Sequence, residues 1–421
     1  MPAPPFPAVY GAAAALALGL GLVGGFAVGL YALGGPAFGW PAGRYLALVQ
    51  AHGQVQTLGL AGLLILGVGA LLLPGFWRAR LDRPHVISYG GGLVGAGLLA
   101  QLVGQPLDPG LARSLLLIVA AVLPPVGFAW AGSELLRPRL HRPDRPAPWE
   151  SMLVLAAWSL VSALVLRALF LFDLARTGTP AVFGPIHQAL IVLELDGFLL
   201  AATIGVQLRL LPSLARTRPV TGRAEWAGIA LLALGLVARI AGVGTVQPVL
   251  LDVGNGLTAA AALALFIALG LWRSGVPPTV QAPATLLPGR TRWVLRVAWA
   301  GLLVGAFGRA TGLLSADTTT HAFTSVYLVP LILVVGIRML PRVSAYPVRF
   351  PKLSGALVWA GLLGGVLRTF GTLAGAPAGW QLAWLGGAIV TGVVLAFALL
   401  AWSPWGVPTG VPREPEVLRR S

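Results

Sequence analysis

The apolar residues of this chain run together in long blocks separated by short polar connections. Twelve blocks of about 20 residues or more, each long enough to cross roughly 30 Å of hydrocarbon as a helix, lie near residues 8 to 33, 46 to 73, 86 to 107, 111 to 136, 150 to 172, 185 to 212, 224 to 243, 247 to 272, 293 to 315, 321 to 341, 353 to 375 and 381 to 402. A backbone in lipid must satisfy its own polar groups, so blocks of this length predict helices. The pattern therefore predicts an all-α integral membrane protein of twelve transmembrane helices. Residues 1–421 read as a single transmembrane domain, with 403–421 as a cytoplasmic tail.

One spacing recurs. Pro74 and Gln101, Pro212 and Arg239, and Pro341 and Arg368 are three pairs with the same separation along the chain. The chain thus reads as three four-helix repeats, approximately residues 1–136, 149–273 and 291–402. The second block of each repeat carries one histidine, His52, His187 and His321, and the two steps between them are nearly equal. Three imidazoles in equivalent apolar places point to a site, because a polar group in hydrocarbon is costly to keep.

Composition agrees with the membrane reading. The chain is 57% hydrophobic and 10% charged, whereas soluble domains are about a quarter charged. The net charge of +16 comes from arginines concentrated in alternate connections, such as Arg78, Arg80 and Arg83, then Arg137, Arg139, Arg142 and Arg145, then Arg216, Arg218 and Arg223. The opposite connections hold few, chiefly Arg44, Arg113 and Arg176. This is the positive-inside pattern of a multi-pass protein of a bacterial-type inner (plasma) membrane, with both termini cytoplasmic and the even-numbered helices starting outside. It accounts for the basic charge without nucleic acid. No basic region precedes the first block, so it reads as a span and not as a removed signal peptide. The absence of cysteine excludes thiolate ligands, iron–sulfur clusters, disulfides and covalent haem attachment.

The topology puts all three histidines toward the outer half of the membrane, with Arg167, Arg239, Arg309 and Arg368 near the outer ends of odd-numbered helices and Gln101 at the matching place. Guanidiniums there can hold carboxylates bidentately. Glu194 and Asp196 read first as partners of these arginines, and Asp252 is ambiguous. Gln54, Gln56 and Gln188 flank histidines and can orient an imidazole. The glycines read as close helix contacts, and His85 and His141 as surface groups. Imidazoles without thiolates, beside arginines, suit haem b, with histidine as axial ligand and arginine on the propionates, and suit copper nearly as well.

These residues carry a family resemblance. Ala51-His52-Gly53-Gln54 followed by Gly59, Gly67 and Leu73-Pro74, His187-Gln188-Ala189-Leu190 ending in Arg209, and Thr320-His321-Ala322-Phe323-Thr324 ending in Arg338 resemble the NnrS family, polytopic membrane proteins associated with haem, copper and the response to nitric oxide. Where that family shows His-Ala-His-Glu, Gln50 and Gly53 stand at the first and last places, which leaves one imidazole. The plan is also similar to subunit I of haem–copper oxidases, with its three four-helix units. That resemblance implies His52 and His321 as axial haem ligands. The helices lack the further histidines of a binuclear metal centre, so no oxidase or nitric oxide reductase chemistry is expected.

The reading is a haem-binding protein of the nitric oxide response or of haem and metal sensing. His52 and His321 are its axial ligands, His187 a third ligand or gate, and Arg167, Arg239, Arg309 and Arg368 its propionate or anion ring. Nitric oxide or another diatomic gas is the expected ligand, membrane lipid the surroundings, and an oxidase or reductase a possible partner. The alternatives are a proton-coupled secondary transporter using the histidines and Glu194, and a non-catalytic oxidase-like assembly subunit.

Overall fold

A computed structural model describes residues 16–17, 19–25, 42–140, 144–214, 222–273, 288–344, 351–374 and 378–402. All regular elements among them are helical. Among the described residues eleven helices are long and apolar enough to cross a membrane: α2 (Gly43–Trp77), α3 (His85–Gly104), α4 (Leu111–Leu140), α5 (Pro148–Thr177), α6 (Pro185–Pro212), α7 (Arg223–Thr245), α8 (Pro248–Ala268), α9 (Arg292–Ala310), α10 (Ala316–Ile337), α11 (Lys352–Phe370) and α12 (Gln381–Leu400). The block at 8–33 is described only over residues 16–17 and 19–25, which are helical and are called α1. The tail at 403–421 lies outside the described residues.

Burial sorts these helices into two layers. In α2, α6 and α10, 67%, 83% and 72% of the apolar stretch is buried, against 33–61% in the other eight. α2, α6 and α10 therefore lie innermost. Outer helices turn apolar stripes outward, as Val154, Trp158, Val161, Val165 and Leu169 of α5 do at helical spacing. Such stripes face lipid in a spanning helix. α1 packs on α2, with Gly21 and Gly24 against Leu60 and Val55, while Gly25 faces Thr391 of α12. The beginning of the described chain thus lies beside its end.

The inner helices share an irregularity that the apolar pattern does not announce. Each widens into a π-helical stretch, at Val55–Gly62, Leu193–Leu200 and Ala322–Leu328. Each stretch begins at the same distance before the proline that marks its helix, Pro74, Pro212 or Pro341. Such bulges cluster at functional sites. The stretches of α2 and α6 touch one another.

The prolines keep the same register with the glycines that follow. Gly97, Gly235 and Gly364 stand at one fixed distance after the three prolines, and Gly104, Gly242 and Gly371 stand at a second, two helical turns further on. All six sit where a Cβ would come within 2.5–2.8 Å of the next helix: Pro124 and Leu116 of α4, Thr258 and Leu251 of α8, Ile389 and Ala383 of α12. Small residues of this kind let membrane helices approach closely. The pairs α3–α4, α7–α8 and α11–α12 are thus built on one pattern.

Most helix limits fall within a few residues of the apolar blocks, and α6 coincides with its block. α10 begins at Ala316, ahead of its block at 321. Ser315 caps it, its Oγ accepting from the Thr318 N–H at 3.1 Å. The polar run Asp317-Thr318-Thr319-Thr320 hides this first turn from an apolar reading.

One buried network pins the inner layer. The Trp299 indole on α9 donates to Gln207 Oε1 on α6 at 2.8 Å, and Gln207 Nε2 donates to the Tyr327 hydroxyl on α10 at 2.5 Å. All three side chains are buried. Gln207→Leu strands two of these groups at about 1–3 kcal/mol each, so a clear fall in melting temperature is expected. An unchanged melt would show that the network contributes nothing.

Candidate functional site

Among the described residues, most of the predicted site residues fall in three buried polar clusters. The first joins α2, α10 and α11. Arg368 Nη2 lies 2.8 Å from His321 Nε2, and Asp317 Oδ1, one turn earlier on α10, lies 3.4 Å from the same nitrogen. A guanidinium only donates and a carboxylate only accepts, so Arg368 and Asp317 compete for that one ring nitrogen. His52 is close enough to His321 and Arg368 for their charges to interact, and it approaches the Gly24 backbone of α1. Its Nδ1 is buried with no hydrogen-bond partner.

The second joins α2, α3, α5 and α6. Arg167, fully buried, donates to Gln101 Oε1 at 2.5 Å and to the Ala120 carbonyl at 2.6 Å. Its charge also acts on Glu194, whose Oε2 accepts from Gln54 Nε2 at 2.9 Å and Thr57 Oγ1 at 3.0 Å. Gln101 donates to Gln105, and Gln105 donates to Gln50. Buried atoms of both kinds lack partners here: Gln54 Oε1, Glu194 Oε1 and Arg167 Nε.

The third joins α6, α7, α9 and α10. Arg239 and Arg309 both donate to one oxygen, Asp196 Oδ2, the second at 3.2 Å. Arg309 Nε also donates to Thr319 Oγ1 at 3.1 Å. A guanidinium and a carboxylate taken out of water need this pairing to be tolerated.

Arg368 thus meets His321, with His52 within electrostatic range of both, and Gln101 meets Arg167; among the described residues Asp196 forms ion pairs with arginines, whereas Glu194 is held by Gln54 and Thr57. The expected single ring of arginines is instead divided among three helix junctions. His187 also differs from expectation. Its ring stacks on Phe170 at 6.1 Å and meets the edge of Phe183 at 5.8 Å, with its Nδ1 unpartnered. The π-helical stretches begin at Val55, Leu193 and Ala322, so His52, His187 and His321 stand at three different distances ahead of them. The spread amounts to about 7.5 Å along a helix axis. They are not equivalent positions. The prolines show the same mismatch: the step from Pro74 to Pro212 is longer than that from His52 to His187, and the step from Pro212 to Pro341 is shorter than that from His187 to His321. Among the described residues no group of three or more His, Asp or Glu side chains is arranged to hold a metal ion, so the three histidines form no common metal site.

The glutamines also have other work. Gln54 holds Glu194, and Gln56 donates to the Gly21 carbonyl at 2.8 Å. Asp252 is exposed near the start of α8, and His85 packs on Tyr89 at 5.7 Å. Arg113, read as a connection residue, is buried and donates to the carbonyls of Gln105, Leu174 and Thr179. It collects the ends of α3 and α5. The spacing of Gln101 and Gln105, one helical turn apart, is the available sign of a polar face beneath it.

The chain matches no family model and no curated protein.

Proposed function

We propose that the chain is an NnrS-like, haem-binding membrane protein of twelve helices in three four-helix repeats, acting in the nitric oxide response or in haem and metal sensing. The observation that supports this reading is that His52 on α2 lies within electrostatic range of His321 on α10 and of Arg368, which contacts His321. The donor set fits haem b: two imidazoles on different inner helices, one with an orphaned buried nitrogen, a neighbouring guanidinium for a carboxylate, and no thiolate. His52 and His321 would hold the group and Arg368 would meet a propionate. Ligation through Nε2 of His321 requires Arg368 to leave that nitrogen. Arg167, Arg239 and Arg309 are committed elsewhere, and His187, between two phenylalanines, lies outside the ligand set. When bound, haem would supply an iron that takes up a diatomic gas where one of its two axial positions is open.

Haem and metal analysis of the detergent-purified protein tests this. Haem b in stoichiometric amount and a spectrum that changes on adding nitric oxide are expected. Protein produced with ample haem and purified without any opposes the reading.

A further inference from the structure

The three clusters differ in charge balance. Beside the histidines, Arg368 faces Asp317, and in the second cluster Arg167 faces Glu194. In the third, two guanidiniums share the single carboxylate of Asp196. The side chains of Arg239, Asp196 and Arg309 are only 8%, 10% and 21% exposed, so one positive charge is left over where water screens it poorly. Arg113 is also a buried cation with no carboxylate, but three carbonyls take its donors. Arg239 and Arg309 are different. Among the described residues Arg239 makes one side-chain hydrogen bond, through Nη1, and Arg309 makes two, through Nη1 and Nε. Their remaining N–H groups are not among the buried unpartnered atoms, so they are reachable from outside the packed interior.

The geometry around that excess is already shaped for an oxyanion. Both guanidiniums aim an N–H at one oxygen atom, which fixes how far apart they stand and shows what group they can hold. Arg309 is the next-to-last residue of α9, which sets the pair near the membrane surface. Thr319, which receives Arg309 Nε, stands two residues before His321 on α10, so the two lie on nearly opposite faces of that helix. The third cluster is therefore not part of the histidine cluster.

We propose that Arg239 and Arg309, with Asp196 as a built-in competing carboxylate, form a binding site for a small oxyanion, the carboxylate or phosphate of a soluble ion or of a lipid headgroup. Asp196 takes one oxygen position, and the free N–H groups of the two arginines take the ligand. The site needs no haem, so its test is separate from that of the haem reading.

The full chain is purified in a zwitterionic detergent and, separately, in phosphatidylcholine nanodiscs with or without phosphatidylglycerol. Its thermal unfolding is followed during titration with acetate and with inorganic phosphate, with chloride at matched ionic strength as control. A ligand that binds only the folded state raises the melting temperature in a saturable way. The expected result is such a rise with an oxyanion or with phosphatidylglycerol, and none with chloride. Arg309→Gln, at the most exposed of the three residues, weakens the effect roughly tenfold or more, while Arg44→Gln on the surface leaves it within about twofold. Asp196→Asn, where it folds, tightens binding by removing the competitor. If phosphatidylglycerol abolishes the response to the soluble ions, the occupant is a lipid headgroup; if the response persists, it is a soluble anion. No saturable effect in either medium, or an unchanged response in folded Arg309→Gln protein, overturns the site.

Discussion

Replacing Arg167 with alanine is expected to leave little folded protein. The side chain is fully buried on α5 and ties it to α3 through Gln101 and to α4 through the Ala120 carbonyl. Its charge also faces Glu194 on α6. Its loss strands Gln101 and a buried carbonyl, at about 1–3 kcal/mol each, and takes from the buried Glu194 the one arginine, among the described residues, whose charge reaches it. The expected observation is a collapse of the monodisperse peak in gel filtration. Arg167→Met combined with Glu194→Gln is expected to recover much of it, because no lone charge then remains. A single variant that melts like the wild type would show that the pair is dispensable.

Gly365→Val is expected to be nearly as damaging. A Cβ at Gly365 of α11 would overlap the Ser325 carbonyl oxygen in the π-helical stretch of α10. The obstacle is backbone, so no side-chain rotation relieves it and α11 must move away from α10. Overpacking typically costs about 1–3 kcal/mol and more where, as here, backbone must move. Because α10 and α11 carry His321 and Arg368, the variant is also expected to weaken whatever the histidine cluster binds. Gly355→Val is the control, since a Cβ there meets nothing within 4 Å. Equal melting temperatures for the two variants would contradict the close packing.

Much of this arrangement is legible in the sequence because membrane physics is strict about it. Apolar length sets the spans, and α6 runs over the same residues in both readings. The proline-to-Arg or Gln spacing is legible because the glycines beside it must be glycine wherever helix backbones nearly touch, as Gly242 shows against the Leu251 nitrogen. The pairing of Asp196 with arginine follows from the cost of a lone charge in hydrocarbon. Which arginines it takes does not follow, since that depends on how α7 and α9 lean on α6. Arg113 escapes the sequence reading because residue order does not distinguish a solvated loop arginine from one folded inward onto three carbonyls. The π-helical stretches have no residue signature, but the proline steps alone already show the histidine spacing to be only approximate. The histidines are the strongest signal in the sequence, and as a set of three they mislead. Two of them lie within electrostatic range of one another; the third stacks between phenylalanines.

The measurement that tests the central claim most directly is the Soret absorption of the purified wild-type protein beside its His52→Ala and His321→Ala variants, each shown by gel filtration to be folded. A haem held between α2 and α10 predicts a strong band in the wild type that is lost or clearly shifted in both variants, with His187→Ala unchanged. A band that survives both substitutions, or one that depends on His187 instead, contradicts it.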